Sequence, residues 1–378
     1  MVASDAITIA PLSPRNPKPF ILFPKRVFAH DPQWVAPLYL ERKAFLNPRK
    51  NPFFHQAQAQ LFLAYQGAEP VGRIAAVINT AHNDYHQEQA GFFGFFDCLP
   101  DSNAAATALL NAAEVWVQER GATFIRGPAH LSSNELAYGL LVEGFDTPPI
   151  FDSAYNPPYY ADYIEANGYA PCKDLLAYIQ DAQFPLSERI ERMITRLRAR
   201  RSNVVIRSIN RRDLAAEVLR ITQVYNSAWR DNWGFVPITE SQAQHMAREL
   251  KLAIIPDLAL IAEIEGEPVG CLVALPDLNV ALRHLNGRLT PWGLCKFFYH
   301  KRRIDTVRVA MMGVKQHYQR LGIDLLLLDQ IWQRAPAKGF WRGELAWILE
   351  DNELMKRSIE AIGGVPHKRY RLYQKALG

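Results

Sequence analysis

An internal repeat constrains the fold of this chain more than any other feature of its sequence. Segments 61–79 and 258–279 each predict two strands around a turn, and both contain the tetrapeptide Glu-Pro-Val-Gly. The first residues of the two tetrapeptides, Glu69 and Glu267, are offset by 267 − 69 = 198 positions. A match of this kind is the first sign that the chain contains two copies of one unit.

Two more pairs of segments follow in the same order. One pair predicts an amphipathic helix, a glycine and a strand; the other predicts a helix that begins near an asparagine, a glycine and a closing strand. The pairs are 108–128 with 325–348, and 156–179 with 351–375. The two asparagines, Asn156 and Asn352, are offset by 352 − 156 = 196. Each copy therefore reads β-β-(β)-α-β-α-β, which predicts an α/β fold with a mixed sheet and helices on its faces.

The length of the chain agrees with a duplication, because 378 residues exceed one ordinary hydrophobic core. We predict a first copy over 1–180, a linker helix over 181–203 and a second copy over 204–378. The linker contains the densest basic cluster, Arg196–Arg201. A solvated helix and a nucleic-acid patch both explain this cluster, but no aromatic residues are interleaved for base stacking. We therefore expect no nucleic-acid partner.

The composition is that of a globular protein, with 49% hydrophobic and 21% charged residues. The N-terminus does not read as a signal peptide, and no apolar run reaches about 18 residues, so we expect neither a spanning helix nor a membrane partner. The four cysteines are scattered without a Cys-x-x-Cys pair, which predicts a reducing cytoplasm and no metal site. The net charge of +5 suits an anionic small ligand as well as a nucleic acid.

The segment 307–328, VRVAMMGVKQHYQRLGIDLLLL, runs from a strand through a loop into an apolar helix. It resembles the GNAT superfamily of acyl-CoA-dependent N-acyltransferases, in which this loop carries the pattern Gln/Arg-x-x-Gly-x-Gly/Ala. The next segment, 344–364, resembles the following strand, asparagine and last helix of that family. The likeness covers 204–378, whereas the first copy lacks the loop motif and resembles a degenerate GNAT domain. The resemblance implies two tandem GNAT-like domains that transfer an acyl group, with acetyl-CoA as the first expectation, to a small amine, amino acid or peptide.

The resemblance assigns acyl-CoA to this loop and to the strand before it. A helix N-terminus offers unpaired N–H groups to a pyrophosphate, and a glycine lets the backbone approach the phosphate oxygens. The expected cofactor-binding residues are Met312, Gly313, Val314, Gln319, Arg320, Leu321, Gly322, Ile323, Asp324 and Asn352. The alternative is that Gly322 only permits a tight turn and that Gln319 is a solvated loop residue.

Asp324 stands where the family has glycine or alanine. Its carboxylate either points sideways and leaves the helix amides to a ligand, or caps the helix itself. In the second case the protein is a non-catalytic binding protein on the same fold. A third function, aminoacyl transfer from a charged tRNA, has relatives among tandem folds of this type and is supported here only by Arg196–Arg201.

Candidate catalytic residues are carboxylates, because an alkylammonium must lose a proton before it attacks a thioester. Glu344 and Glu350 lie on the strand after the cofactor helix, and Asp277 ends an earlier strand. The simpler interpretation of each is a surface charge at a strand end. The tyrosine that the family often has in its last helix is missing, since Ile359 occupies that position.

The acceptor site is predicted in the loop after the first helix of the second copy. Trp229, Asn232 and Trp233 lie there, and Asn279 joins them as a fourth candidate. Tryptophans with amides suit a substrate that is partly apolar, although an i, i+4 tryptophan pair also fits a helical core. In the first copy, the long polar segment 126–149 is predicted to complete the acceptor pocket. Its His130 is a candidate base, although a lone histidine more often has no such role.

Overall fold

The computed structural model describes residues 6–13, 15–131, 138–184, 186–251 and 253–378. Its strands are β1 (Ile7–Leu12), β2 (Ala57–Gln66), β3 (Glu69–Asn79), β4 (Ala90–Cys98), β5 (Phe124–Gly127), β6 (Leu140–Glu143), β7 (Ala170–Asp181), β8 (Val204–Ser208), β9 (Ala259–Ile264), β10 (Glu267–Pro276), β11 (Thr306–Val314), β12 (Arg342–Leu349) and β13 (Val365–Ala376). Its helices are α1 (Lys18–Leu22), α2 (Pro24–Val27), α3 (Tyr39–Phe45), α4 (Thr80–His86), α5 (Asn103–Gln118), α6 (Tyr160–Ala166), α7 (Glu188–Arg200), α8 (Leu214–Ala228), α9 (Glu240–Leu250), α10 (Asn279–Leu282), α11 (Pro291–Lys301), α12 (Ile323–Arg334) and α13 (Glu353–Ala361).

The chain forms two compact units. The first contains Met1–Leu175, Ala281–Tyr299 and Lys368–Gly378, and the second contains Leu176–Val280 and His300–His367. In the first unit the strands follow the order β1-β2-β3-β4-β5-β13, with β6 on β13. Neighbouring strands are antiparallel except β4 and β5, which are parallel. Helix α5 packs its apolar face on this sheet, with Leu109, Leu110 and Val117 fully buried.

The second unit repeats this arrangement. Its strand order is β8-β9-β10-β11-β12, again antiparallel except for the parallel pair β11 and β12. Helices α8 and α9 cover one face of the sheet, where Cys271 and Val273 of β10 enter their core. Side chains alternate along a strand, so Gly270 faces the opposite side, and there α12 packs with Ile323 against it. The shared order and strand directions confirm the predicted tandem mixed α/β fold.

The compact units differ from the predicted sequential copies in three places, the first being residues 176–180, which end the predicted first copy but group with the second unit. Residues 281–299 and 368–378 group with the first unit, although both lie in the predicted second copy. In β13, Tyr373 pairs with Gly127 of β5 inside the first unit. The pattern of a strand gives its faces but not its neighbour, so the sequence could not indicate this partner. The boundaries 1–180, 181–203 and 204–378 remain a prediction about the repeat, and α7 falls within the predicted linker.

The first unit contains a buried histidine whose surroundings favour its neutral form. His82 of α4 is 2% exposed, and its Nε2 lies 2.5 Å from Oε1 of Glu88. Burial lowers the pKa of His82 from 6.5 to about 4, although the bond to Glu88 partly opposes this. The folded protein therefore holds His82 neutral at a pH where the unfolded chain binds a proton.

We expect the free energy of unfolding to fall as the pH drops from 6.5 towards 4, because only the unfolded state gains a proton on this residue. The contribution of His82 is fully present above 6.5, and at pH 4.5 about 2–3 kcal/mol of it should be lost. Urea unfolding at pH 7.5 and 4.5 measures this, and His82→Gln should flatten the dependence. The exposed His55 provides the control, since His55→Gln should leave the slope unchanged. An unchanged slope in His82→Gln would assign the acid sensitivity to other groups.

Candidate functional site

The central feature of the second unit is a pair of parallel strands whose backbone pairing ends partway along their length. Strands β11 and β12 pair from Thr306 opposite Arg342 to Val309 opposite Leu345, and within the described residues their mutual pairing ends there. Beyond this point, most residues of both strands are half-buried, from Ala310 on β11 and from Trp347 on β12. Beyond this point the facing edges of the two strands no longer pair with each other, and we call the space between them the cleft. It lies at the carboxyl ends, where open α/β sheets bind ligands.

The helix that follows β11 begins at the mouth of this cleft. Gly322 is its N-cap with φ of 78°, and it supplies no side-chain cap. Asp324 is the second residue of α12 and is half-buried. Within the described part of the chain, the Asp324 carboxylate makes no hydrogen bond or ion pair. Asp324 therefore does not cap the helix, and the amides of the first turn are not occupied by its side chain.

The loop between β11 and α12 carries one cation that points to solvent. Lys315 is engaged, because its Nζ lies 2.9 Å from Oε1 of Glu267 and lowers the pKa of that carboxyl. Gln319 donates from Nε2 to the carbonyl oxygen of Val314 at 3.3 Å, which closes the loop. Arg320 is exposed and, among the residues described, pairs with no acid. Arg320 is thus the side chain of this loop most available to an anionic ligand.

Helix α7 covers one side of the same turn. A Cβ on Gly322 would lie 2.6 Å from Cδ2 of Leu197, so the turn needs glycine both for its positive φ and for this contact. Arg198 forms an ion pair with Asp329 of α12. One turn after Leu197, the Nε of Arg201 is enclosed without a hydrogen-bond partner among the described residues. The predicted linker helix therefore buttresses the loop, and part of its basic cluster is engaged within the second unit.

Trp229 forms the wall of the cleft on the α8 side. It ends α8, stacks on Tyr225 with ring centroids 4.8 Å apart, and lies so close to β11 that a Cβ on Gly313 would be 2.2 Å from its ring. Asn232 donates its backbone N–H to the Trp229 carbonyl at 2.8 Å. Trp233 lies beyond the end of the helix, so the alternative of an i, i+4 helical core pair is wrong.

The predicted carboxylates do not converge on one point. Glu344 is 0% exposed, so the interpretation as a surface charge is wrong for it. Glu350 follows the far end of β12, six positions on, which corresponds to about 20 Å of extended strand. Asp277 is 8% exposed, and its Oδ1 accepts the N–H of Asn279 at 3.1 Å, which fixes the turn after β10. Of the three carboxylates, only Glu344 lies where the parallel strands part.

Glu344 has a charged neighbour that the sequence analysis missed. Arg308 sits directly opposite it on β11, with Nε 3.6 Å from Oε2 of Glu344, and is 2% exposed. The Arg308 guanidinium also lies 4.9 Å from the ring centroid of Trp347. An arginine inside the apolar run TVRVAMM was the available signal, since a buried charge requires a partner.

Two other residues of the prediction are Asn352 and His130. Asn352 caps α13, because its Oδ1 accepts the N–H of Met355 at 3.1 Å. Residues 132–137 of the predicted acceptor segment 126–149 lie outside the described residues. His130 packs edge-on against Phe95 in the first unit, with ring centroids 4.4 Å apart. The cofactor role of Asn352 stays a prediction.

An apolar pocket opens on the other face of the sheet in the second unit. It lies between α7, α12 and the paired ends of β11 and β12, and its empty volume, part of it open to solvent, is about 600 Å³. Val309 and Leu345, the last parallel pair, form one end, and Leu328 and Trp332 of α12 line its side.

The described residues contain neither a membrane-spanning helix nor a metal-binding cluster of side chains. None of their helices is long and apolar enough to cross a bilayer. Within the same residues, no group of three or more histidine, cysteine, aspartate or glutamate side chains is arranged to hold a metal ion.

The geometry of the sheet and its comparison with solved structures define the class of the protein. A tandem GNAT protein from the clavulanic acid biosynthesis pathway superposes with a TM-score of 0.58 at 12% identity, over 99% of both chains. A GCN5-related N-acetyltransferase from Sphaerobacter thermophilus gives a TM-score of 0.53 at 14% identity, over 98% of this chain and 96% of that one. The protein therefore has a tandem GNAT fold.

Sequence relatives identify the family. No protein-family model matches the chain. Protein YghO of Escherichia coli (strain K12) is 37% identical over 384 residues, covering 100% of this chain and 97% of its own. The bacterial ceramide synthase of Caulobacter vibrioides (strain NA1000 / CB15N) is 37% identical over 381 residues, covering 99% of this chain and 98% of its own. The chain belongs to the family of these two proteins.

The contact between Gly313 and Trp229 is open to a direct test. Gly313→Ala should lower the free energy of unfolding by about 1–3 kcal/mol, because the new methyl group overlaps the indole ring. Gly343→Ala is the matched control on β12, where a Cβ meets nothing within 4 Å. Trp229→Leu in the Gly313→Ala background should restore part of the loss. Equal effects of the two glycine substitutions in thermal and urea unfolding would contradict this packing.

Proposed function

We propose that the protein transfers a long acyl group from an acyl-CoA thioester to the amino group of a long-chain amino alcohol. A ceramide is the fatty acyl amide of such an alcohol, and the name of the Caulobacter relative states that this relative makes ceramide. The proposal keeps the N-acyl transfer expected from the sequence and replaces the acetyl group and the small amine with longer substrates.

The observation that carries the proposal is the cleft between β11 and β12, with an uncapped helix N-terminus at its mouth. Unpaired amides and the helix dipole favour a pyrophosphate at α12, and Arg320 adds an exposed cation beside it. Since Asp324 makes no capping bond within the described residues, these residues fit acyl-CoA. When bound, acyl-CoA supplies an activated thioester carbonyl.

The apolar pocket supports a long acyl chain rather than an acetyl group. It begins at Val309 and Leu345, where the two strands separate, and continues along the apolar face of α12. Burying each methylene of an acyl chain contributes about 0.8 kcal/mol, so a pocket at this place would discriminate by chain length. Trp229 offers a second apolar surface on the opposite side of β11.

The side chains around the cleft suggest how the proton of the amine is handled. The attacking amine must be neutral, and the proton that it loses needs an acceptor. Of the three predicted carboxylates, Glu344 is the nearest to the end of the β11–β12 pairing, and the Nε of Arg308 on the neighbouring strand lies 3.6 Å from its Oε2. Backbone N–H groups on the unpaired edges of the cleft are suited to stabilise negative charge on the carbonyl oxygen.

The substrate class can be tested by product analysis. With palmitoyl-CoA and sphinganine, mass spectrometry should detect the N-palmitoyl amide and one equivalent of free CoA. With acetyl-CoA, kcat/KM should be at least about tenfold lower, since the pocket then buries little apolar surface. Isothermal titration with CoA alone reports the cofactor site separately, and Arg320→Ala should weaken it several-fold. Efficient acetylation of short amines, with no long-chain product, would overturn the substrate class but retain the transfer.

The role of Glu344 can be separated from that of Glu350. Glu344→Gln keeps the size of the side chain and should lower kcat by about 10²–10⁴-fold, with the KM for acyl-CoA within about twofold. Glu350→Gln is the control and should retain nearly full kcat, because that residue lies about 20 Å along the strand. Circular dichroism and thermal unfolding verify that both variants fold. A folded Glu344→Gln variant with normal kcat over the whole pH range would exclude Glu344 as the base.

A further inference from the structure

Helix α11 presents an apolar surface to solvent. Only Gly293 of this helix is buried. Trp292 is 72% exposed, Phe298 60% and Tyr299 57%. Five of the fourteen exposed large hydrophobic side chains found among the described residues lie within 289–299. A concentration of this kind on one short segment marks an interaction surface rather than scattered surface apolarity.

The exposed side chains form one continuous patch, which we call the α11 patch: Leu289, Trp292, Leu294, Phe298 and Tyr299. Residues three and four apart are neighbours on a helix, so Leu294 and Phe298 lie next to each other along one row. Trp292 and Tyr299 lie two turns apart on the adjacent row, with the exposed Cys295 between them. Three of the five side chains are aromatic.

The segment around the α11 patch carries charge of one sign. Residues 278–304 contain six lysines and arginines and no aspartate or glutamate, although the whole chain is nearly balanced at 43 basic and 38 acidic residues. Lys296 is exposed on the helix itself, Arg288 precedes it, and Arg302 follows it. Exposed aromatic residues are therefore flanked on both sides by cations.

We propose that the α11 patch docks the protein on the surface of an anionic lipid bilayer. A helix with tryptophan, phenylalanine and leucine on its outer side and basic residues around it lies in the interfacial plane, with its apolar side chains at the headgroup boundary. Tryptophan and tyrosine favour this region because their rings are amphipathic. The cations are attracted to anionic headgroups.

Charge argues against the main rival occupant, a second copy of the chain. A symmetric dimer through this surface would bring two segments of six cations together without an acid in either. Like charges at close range disfavour such a contact. The expectation that the protein has no membrane partner rested on the lack of a spanning run, and surface docking requires none. Docking goes beyond the proposed transfer, although it would bring the protein to a lipid acceptor.

Vesicle flotation with the full-length protein tests the proposal without any substrate. The protein should float with vesicles of phosphatidylglycerol and phosphatidylcholine, less with phosphatidylcholine alone, and less as salt is raised. Trp292→Ser/Phe298→Ser should lower the vesicle affinity at least about tenfold, since two buried aromatic side chains are lost. Leu354→Ser is the matched control, because Leu354 is also 72% exposed, and it should leave binding unchanged.

The charge contribution has its own variant. Lys296→Gln/Arg302→Gln should weaken binding to anionic vesicles by about fivefold per cation and leave binding to phosphatidylcholine alone unchanged.

Wild-type protein that does not float with anionic vesicles, or a Trp292→Ser/Phe298→Ser variant that floats like wild type, would overturn the proposal. Light scattering provides a further check: a variant that turns a dimer into a monomer with unchanged flotation would make the α11 patch a self-association surface. Because no acyl transfer is measured, failure here is distinct from failure of the proposed function.

Discussion

The candidate site of the second unit depends on one structural feature: the backbone pairing between β11 and β12 ends after Val309 and Leu345. A sheet with continuous hydrogen bonding offers a ligand no backbone groups, because each N–H and C=O is already satisfied. Where this pairing ends, the facing edges of the two strands no longer satisfy each other's backbone groups, and the cleft begins. Everything else at the site is arranged around that opening: Trp229 on one face, the apolar pocket on the other and the start of α12 at the mouth.

The buried pair of Arg308 and Glu344 lies one position before the last pair that joins the two strands. Removing one partner of a buried ion pair typically costs about 3–5 kcal/mol, because the other charge is left in a poorly polarisable interior. Apolar residues of similar size would serve packing equally well or better. The proposed role of Glu344 as the base would give this pair a function that apolar packing does not supply.

Much of the fold followed from the sequence, because local patterns determine local structure. The two-strand hairpins that contain Glu-Pro-Val-Gly, the helices followed by a glycine and the strand before Gly322 all appear as predicted. The site was predicted less completely, since burial and distance are properties of the folded chain. Glu344 and Glu350 looked equivalent in sequence but differ in position along the strand. The spacing of Trp229 and Trp233 also fitted a helix through both, whereas α8 ends at Ala228. The packing of Leu197 against Gly322 joins segments 125 positions apart, which no periodicity encodes.

The position of β13 has a consequence for how the chain reaches its native state. Tyr373 pairs with Gly127, so a contact within the first unit spans 373 − 127 = 246 positions. During synthesis, β5 emerges long before its partner β13. Until β13 is made, one edge of an almost complete sheet has unpaired hydrogen-bonding groups. Contacts of such separation slow folding, and a fragment cut after the first repeat would keep that edge permanently bare. The sheet of the first unit is therefore completed only by a strand that lies near the end of the second repeat.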